Sequence, residues 1–171
     1  MLDIFKRLVL LAVAMSVLLS FASCDAGNGK SADDVAYKLL SAYDDLPQCS
    51  QYVKNEKEFA KGYISEESFN NMYTGNQIEL SEWDMIDQFR LVVSDSSNLF
   101  EIHVIKAVNI SDTEIIKKLV EKRAALIENF RKTASGYFTA NKADVYVKGK
   151  FVFLLVTPDN EKAIKIINKS L

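Results

Sequence analysis

Two thiols, one imidazole and three pairs of adjacent carboxylates are the side chains of this chain with the richest chemistry. They are Cys24 and Cys49, His103, and the pairs Asp33-Asp34, Asp44-Asp45 and Glu66-Glu67. A thiol beside an imidazole is a nucleophilic pair, and a fold could join Cys49 to His103 across their separation in sequence. A single histidine excludes a His-based metal cluster within one chain. The carboxylate pairs have the charge to hold a hard cation or to act as acid and base. Neighbours on a helix do not face one another, however, so helix capping and solvation account for these pairs. A glycosidase-type site would need two carboxylates held apart across a cleft, which spacing in sequence does not reveal. No CxxC pair, HExxH helix, EF-hand loop, phosphate-cradling GxxxxGK[ST] run or GxGxxG run is present. No cofactor and no metal are expected.

Cys24 has the most informative surroundings. Lys6 and Arg7 form a positive start, weakened slightly by Asp3, and residues 8–21 then carry no charge. A secretory signal has an apolar core of roughly 7–15 residues, whereas a membrane-spanning helix needs about 20. The run therefore fits a signal and is short for an anchor. Ala22 and Ser23 are the small residues a signal peptidase requires before its cut. Phe21-Ala22-Ser23-Cys24 resembles a lipobox, in which a hydrophobic residue and two small ones precede a cysteine. Phe21 departs from the leucine usual at its position. The resemblance implies that residues 1–23 are removed and that the Cys24 thiol is diacylglycerylated. The protein is then expected on the outer face of the cytoplasmic membrane, with the lipid bilayer as a partner. At about 0.8 kcal/mol per buried CH₂, two or three acyl chains hold far better than one. Cys49 is then left without an intramolecular disulfide partner, and reads as a small unreactive side chain near a turn.

Residues 24–31 are small and polar and read as a flexible tether, leaving residues 32–171 as a single globular domain. The formal net charge of −2 and the absence of a basic stripe leave nucleic-acid binding without support.

The elements that must position any site follow from periodicity. Ser31 is a candidate N-cap, and Val35, Ala36, Leu39, Leu40, Tyr43 and Leu46 recur at helical spacing up to Pro47. Residues 47–77 are hard to place, apart from a short helix from Ser65 that should stop near Thr74-Gly75-Asn76. Tyr52, Tyr63, Tyr73 and Trp83 lie in this half and read as core. Another helical turn is expected from Ser81 to Asp84. Phe89–Ser94 and Leu99–Val108 alternate as the strands of a hairpin, with Phe100, Ile102 and Val104 on one face and Glu101, His103 and Ile105 on the other. His103 is thus expected on the less apolar face, as a surface or partly satisfied side chain.

Ser111 and Glu114 fit a capping box, with Ile110 and Ile115 as a hydrophobic staple. The long helix that follows has an apolar face (Ile115, Ile116, Leu119, Val120, Ala124, Leu126, Ile127, Phe130) and a charged face that includes Lys122 and Arg123. A second hairpin turns at Lys148-Gly149-Lys150, and its strand 151–156 is apolar on both faces, as a central strand should be. Thr157 and Pro158 are expected to start a last helix buried through Ala163, Ile164, Ile166 and Ile167. The sum is α+β: an antiparallel sheet of about four strands packed by an N-terminal, a long central and a C-terminal helix.

The runs Phe100–Lys106, Lys122-Arg123 within the capped helix, and Gly149–Val152 ahead of Val156–Asp159 look like those of a group of small lipoproteins of unknown function found in Gram-positive bacteria. The resemblance covers roughly residues 85–170 plus the lipobox. It implies a single-domain architecture and an extracytoplasmic address, and it carries no activity. Two functions of different class are then weighed. A non-enzymatic module binding an envelope protein or polymer should expose an apolar or aromatic patch. A small envelope hydrolase should converge carboxylates in a cleft. The sequence carries no catalytic signature, which favours the module. A transporter-associated substrate-capturing lipoprotein would need two lobes, and the chain offers one.

Overall fold

The computed structural model describes residues 29–75, 82–95, 99–133 and 141–171. Helix α1 (Ala32–Leu40) leads into strand β1 (Cys49–Val53) and helix α2 (Glu66–Thr74). A 3₁₀ turn (Trp83–Met85) precedes strands β2 (Ile86–Ser94) and β3 (Glu101–Ala107), and a second (Ile110–Asp112) precedes helix α3 (Thr113–Thr133). Strands β4 (Asp144–Lys148) and β5 (Phe151–Val156) and helix α4 (Asn160–Ser170) complete the order. The strands form one antiparallel sheet in the order β1-β2-β3-β5-β4.

The class is α+β, with both expected hairpins in place and β5 interior, all six of its residues buried. The sheet has five strands where about four were expected. The additional strand, β1, carries Ser50 and Gln51, shows no apolar alternation, and is half-buried at the sheet edge, so it left no periodic trace.

Helices cover both faces because each strand alternates its side chains. Phe89, Leu91, Ile105, Val152, Leu154 and Val156 face one core, with Phe69 and Tyr73 of α2 and Ile116, Leu119, Val120 and Ile127 of α3. Val92, Phe100, Ile102, Val104, Phe151, Phe153 and Leu155 face the other, with α1 and α4. Phe69, Phe89 and Trp83 pack with ring centroids 5.1–5.6 Å apart, and Tyr52 and Trp83 lie against this core. Fully burying one such ring contributes about 1.5–3 kcal/mol.

Several helix ends differ from the expectation, each for a local reason. Ser31 caps α1 reciprocally with Asp34, but α1 stops at Leu40. There the Ser41 hydroxyl donates to the Tyr37 carbonyl, and Tyr43 swings its hydroxyl towards Asp159 O (2.9 Å). Ser65 caps α2, which ends at left-handed Gly75 (φ 65°) as expected. The box before α3 is formed by Asn109 and Asp112, not by Ser111 and Glu114. It closes on the 3₁₀ turn that precedes the helix and leaves Ile110 and Ile115 exposed in place of a staple. Asp159, not Thr157, caps α4. Thr157 is buried and donates its backbone N–H and its hydroxyl to Asn160 Oδ1, which holds Pro158 outside the helix.

Candidate functional site

Period-two alternation sends Glu101 and His103 of β3 to the same face as Ile105, under α2 and α3. There they meet two partners from other elements. Tyr73, one turn after Phe69 on α2, places its hydroxyl 2.7 Å from His103 Nδ1. Arg123 of α3 donates a fork to Glu101, Nη2 to Oε1 at 2.5 Å and Nε to Oε2 at 3.1 Å, and its Nη1 reaches Met72 O at 3.3 Å. His103 Nε2 lies 3.2 Å from Glu101 Oε2, close enough for electrostatic attraction but without hydrogen-bond alignment. Four side chains thus form a chain, Tyr73–His103–Glu101–Arg123, across three elements.

Burial sets the charge states. His103 and Tyr73 are fully buried and Glu101 nearly so. Burial holds the His103 imidazole below its ordinary pKa of 6.5, against the pull of Glu101, so the ring is neutral near pH 7. Burial, reinforced by the Glu101 charge, pushes the Tyr73 phenol well above 10.0. For Glu101 burial alone acts upward, but the contacts from His103 and Arg123 outweigh it and keep the carboxyl below 4.5. An ionised carboxylate has no proton to donate, so the imidazole proton belongs on Nε2 facing Glu101, and the Tyr73 hydroxyl donates to Nδ1.

Sequence reading expected His103 as a surface or partly satisfied side chain and Arg123 on the solvated face; His103 is buried, with Nδ1 paired and Nε2 without an aligned partner, and Arg123 turns inward to Glu101. A strand face that carries Glu and His looks polar until the helices above supply partners. With no exposed atom, His103 cannot touch a substrate; the chain of contacts ties β3 to α2 and α3. It also separates His103 from Cys49, which packs with the core on the opposite sheet face and donates its thiol to Pro47 O at 3.2 Å. Burial raises the Cys49 thiol pKa, with Asp95 adding to it.

Two of the carboxylate pairs lie in the first turns of helices, and the third, Asp44-Asp45, lies outside any helix. Asp33 accepts from Arg90 at 2.8 Å and Asp34 serves the Ser31 cap, while Glu66 and Glu67 occupy the first turn of α2. Asp44 and Asp45 sit on the rim of a cleft of about 610 Å³ walled by Tyr43, Leu46, Phe100, Pro158 and Lys162. Within it Lys162 lies 5.2 Å over the Tyr43 ring and donates to Ala42 O at 2.5 Å. A second cleft of about 580 Å³ runs along β1 between Lys61-Gly62 and Arg90. Among the described residues no three His, Cys, Asp or Glu side chains gather to hold a metal ion, and no helix is long and apolar enough to cross a membrane. Phe21, Ala22, Ser23 and Cys24 lie outside the described residues.

Fold and buried network define the class: an antiparallel sheet between two pairs of helices, with an ionic tie under one pair. Residues 64–157 match the family described as a domain of unknown function, DUF4358. The chain belongs to that family. The matched span contains Tyr73, Glu101, His103 and Arg123, while α1, β1 and α4 lie outside it. No curated protein and no solved structure matches the chain.

Proposed function

We propose that the protein is an extracytoplasmic lipoprotein, anchored by acylated Cys24 to the outer face of the cytoplasmic membrane, whose domain binds an envelope protein or polymer. The observation that carries this is the charge-free run of residues 8–21 closing on Phe21-Ala22-Ser23-Cys24 behind Lys6-Arg7. Two features of the domain support a binding role. His103 is spent on an internal tie, and the cleft between Tyr43 and Pro158 offers apolar and aromatic walls with charged groups at its rim. The test is the intact mass of the protein extracted from membranes of its native host, beside Cys24→Ala. A mass lacking residues 1–23 and carrying added lipid, lost in the variant, is the expected result. An unlipidated, released protein would overturn the anchoring. For the domain, cross-linking from the Leu46 side of the cleft in intact cells should capture an envelope component, and capture should fall when Lys162 is replaced by Glu.

A further inference from the structure

Phe59 is 93% exposed, the most exposed of the large hydrophobic side chains among the described residues. It stands in the loop of residues 54–62, which closes on itself where Val53 N donates to Gly62 O at 3.0 Å. Inside the loop Ala60 N donates to Lys57 O at 2.9 Å, and just beyond it Tyr63 N donates to Ala60 O at 3.0 Å. Within the first of these turns Phe59 has φ 66°, a left-handed conformation that an aromatic residue adopts only under constraint. The backbone thus presents the ring to solvent at some conformational cost. Compact loops of this kind often carry function.

The position of the loop root says what the ring meets. Val53 pairs in register with Arg90 of β2, and Arg90 holds Asp33 in the first turn of α1 at 2.8 Å. Ala32 N is held by Gln88 of the same strand at 3.1 Å. The loop root is therefore one strand spacing, about 4.8 Å, from the residue that fixes the start of α1. Residues 25–30 separate Cys24 from the Ser31 cap and span about 25 Å when fully extended, cap included. With Cys24 acylated, this side of the domain stays close to the headgroups at high effective concentration, where a single aromatic contact is enough to bias orientation.

We infer that the loop of residues 54–62 is a second membrane contact, Phe59 entering the interface of the bilayer that holds Cys24 and so orienting the anchored domain. The inference rests on the lipid anchoring proposed above. The exposed Lys57 and Lys61 face anionic headgroups, while Glu56 and Glu58 offset their charge, so the ring and not the net charge drives the contact. Tyr37, one turn after Asp33 on α1 and 73% exposed, adds a second aromatic on the same helix face as Asp33.

The test uses the full chain, expressed with lipidation and reconstituted in vesicles of phosphatidylethanolamine and phosphatidylglycerol that include a brominated-chain lipid. Phe59→Trp keeps an aromatic at the tip, and Lys118→Trp on α3, across the sheet, serves as the aqueous reference. Both are made in a Trp83→Phe background, so that each protein carries one indole. The expected result is a blue-shifted emission from the Phe59→Trp protein, most of it lost to the brominated lipid, with emission from the Lys118→Trp protein unaffected. Unquenched emission from Phe59→Trp, on a chain whose mass shows the lipid, would overturn the second contact and leave the anchor standing; a ring occupied by a partner protein would give this result. Equal quenching in the two variants would also overturn it. An unlipidated mass would remove the anchoring and this inference with it.

Discussion

Replacing Arg123 by Met tests whether the Tyr73–His103–Glu101–Arg123 chain is a structural tie. Arg123 gives Glu101 a two-point fork, and the Glu101 side chain is 5% exposed. Met keeps most of the aliphatic stem and removes the charge, leaving the carboxylate without its cation. Removing one member of a buried ion pair costs about 3–5 kcal/mol, more than the roughly 1 kcal/mol of an ordinary hydrogen bond. Because the Arg123 side chain is itself 21% exposed, water can enter its place, and the lower end, about 3 kcal/mol, is expected. The assay is urea unfolding near neutral pH followed by Trp83, the chain's one tryptophan, which packs against Phe69 and Phe89. A second signature separates lost charge from lost packing. In the wild type Glu101 has a lowered folded pKa, so the stability it contributes is present above 4.5 and is lost as pH falls through that lower value. In the variant burial is no longer outweighed, the carboxyl titrates higher, and the deficit should shrink on acidification. Glu101→Met together with Arg123→Met should be no less stable than Arg123→Met alone, since it buries no unpaired charge. A single variant within about 0.5 kcal/mol of wild type, or a deficit independent of pH, would refute the reasoning.

His103 has a lowered folded pKa, so its neutral form stabilises the protein above 6.5 and that stability is lost as pH falls below it. Urea midpoints measured downward from pH 7 should decline, and the decline should flatten in His103→Leu with Tyr73→Phe, which leaves no hydroxyl stranded; an unchanged slope would count against a neutral buried ring. Tyr43→Phe deletes the hydroxyl that reaches Thr157 Oγ1 at 3.0 Å and Asp159 O at 2.9 Å, and should lower stability by about 1 kcal/mol in the same assay. Gly75→Ala forces a β-carbon into the left-handed end of α2, with Leu126 only 3.4 Å from it, and should cost about 1–2 kcal/mol; a neutral change would show that α2 does not need this stop.

What could be read in advance was local. Hairpin β2–β3, the apolar run of β5 and the Ser65–Gly75 limits of α2 are each written within a few neighbouring residues, as alternation, continuous burial or a cap. Where two local solutions of the same three-residue spacing competed, spacing alone did not decide between them: Asp112 turned back to Asn109 and not Glu114 to Ser111, and Asn160 drew Thr157 away from capping. The ionic tie was illegible for the opposite reason. Its contacts join residues 22 and 30 apart in sequence, and a Glu-x-His on a strand reads as a wet face unless a helix brings a guanidinium to it. Once the helices are docked, the same two residues become the least exposed polar pair on β3, and their burial makes sense only as a unit. An unpaired Glu101 or a charged His103 would each destabilise the sheet it sits on. The buried polar chain is therefore evidence about which helices sit where: α2 must bring Tyr73 to His103, and α3 must bring Arg123 to Glu101, over β3.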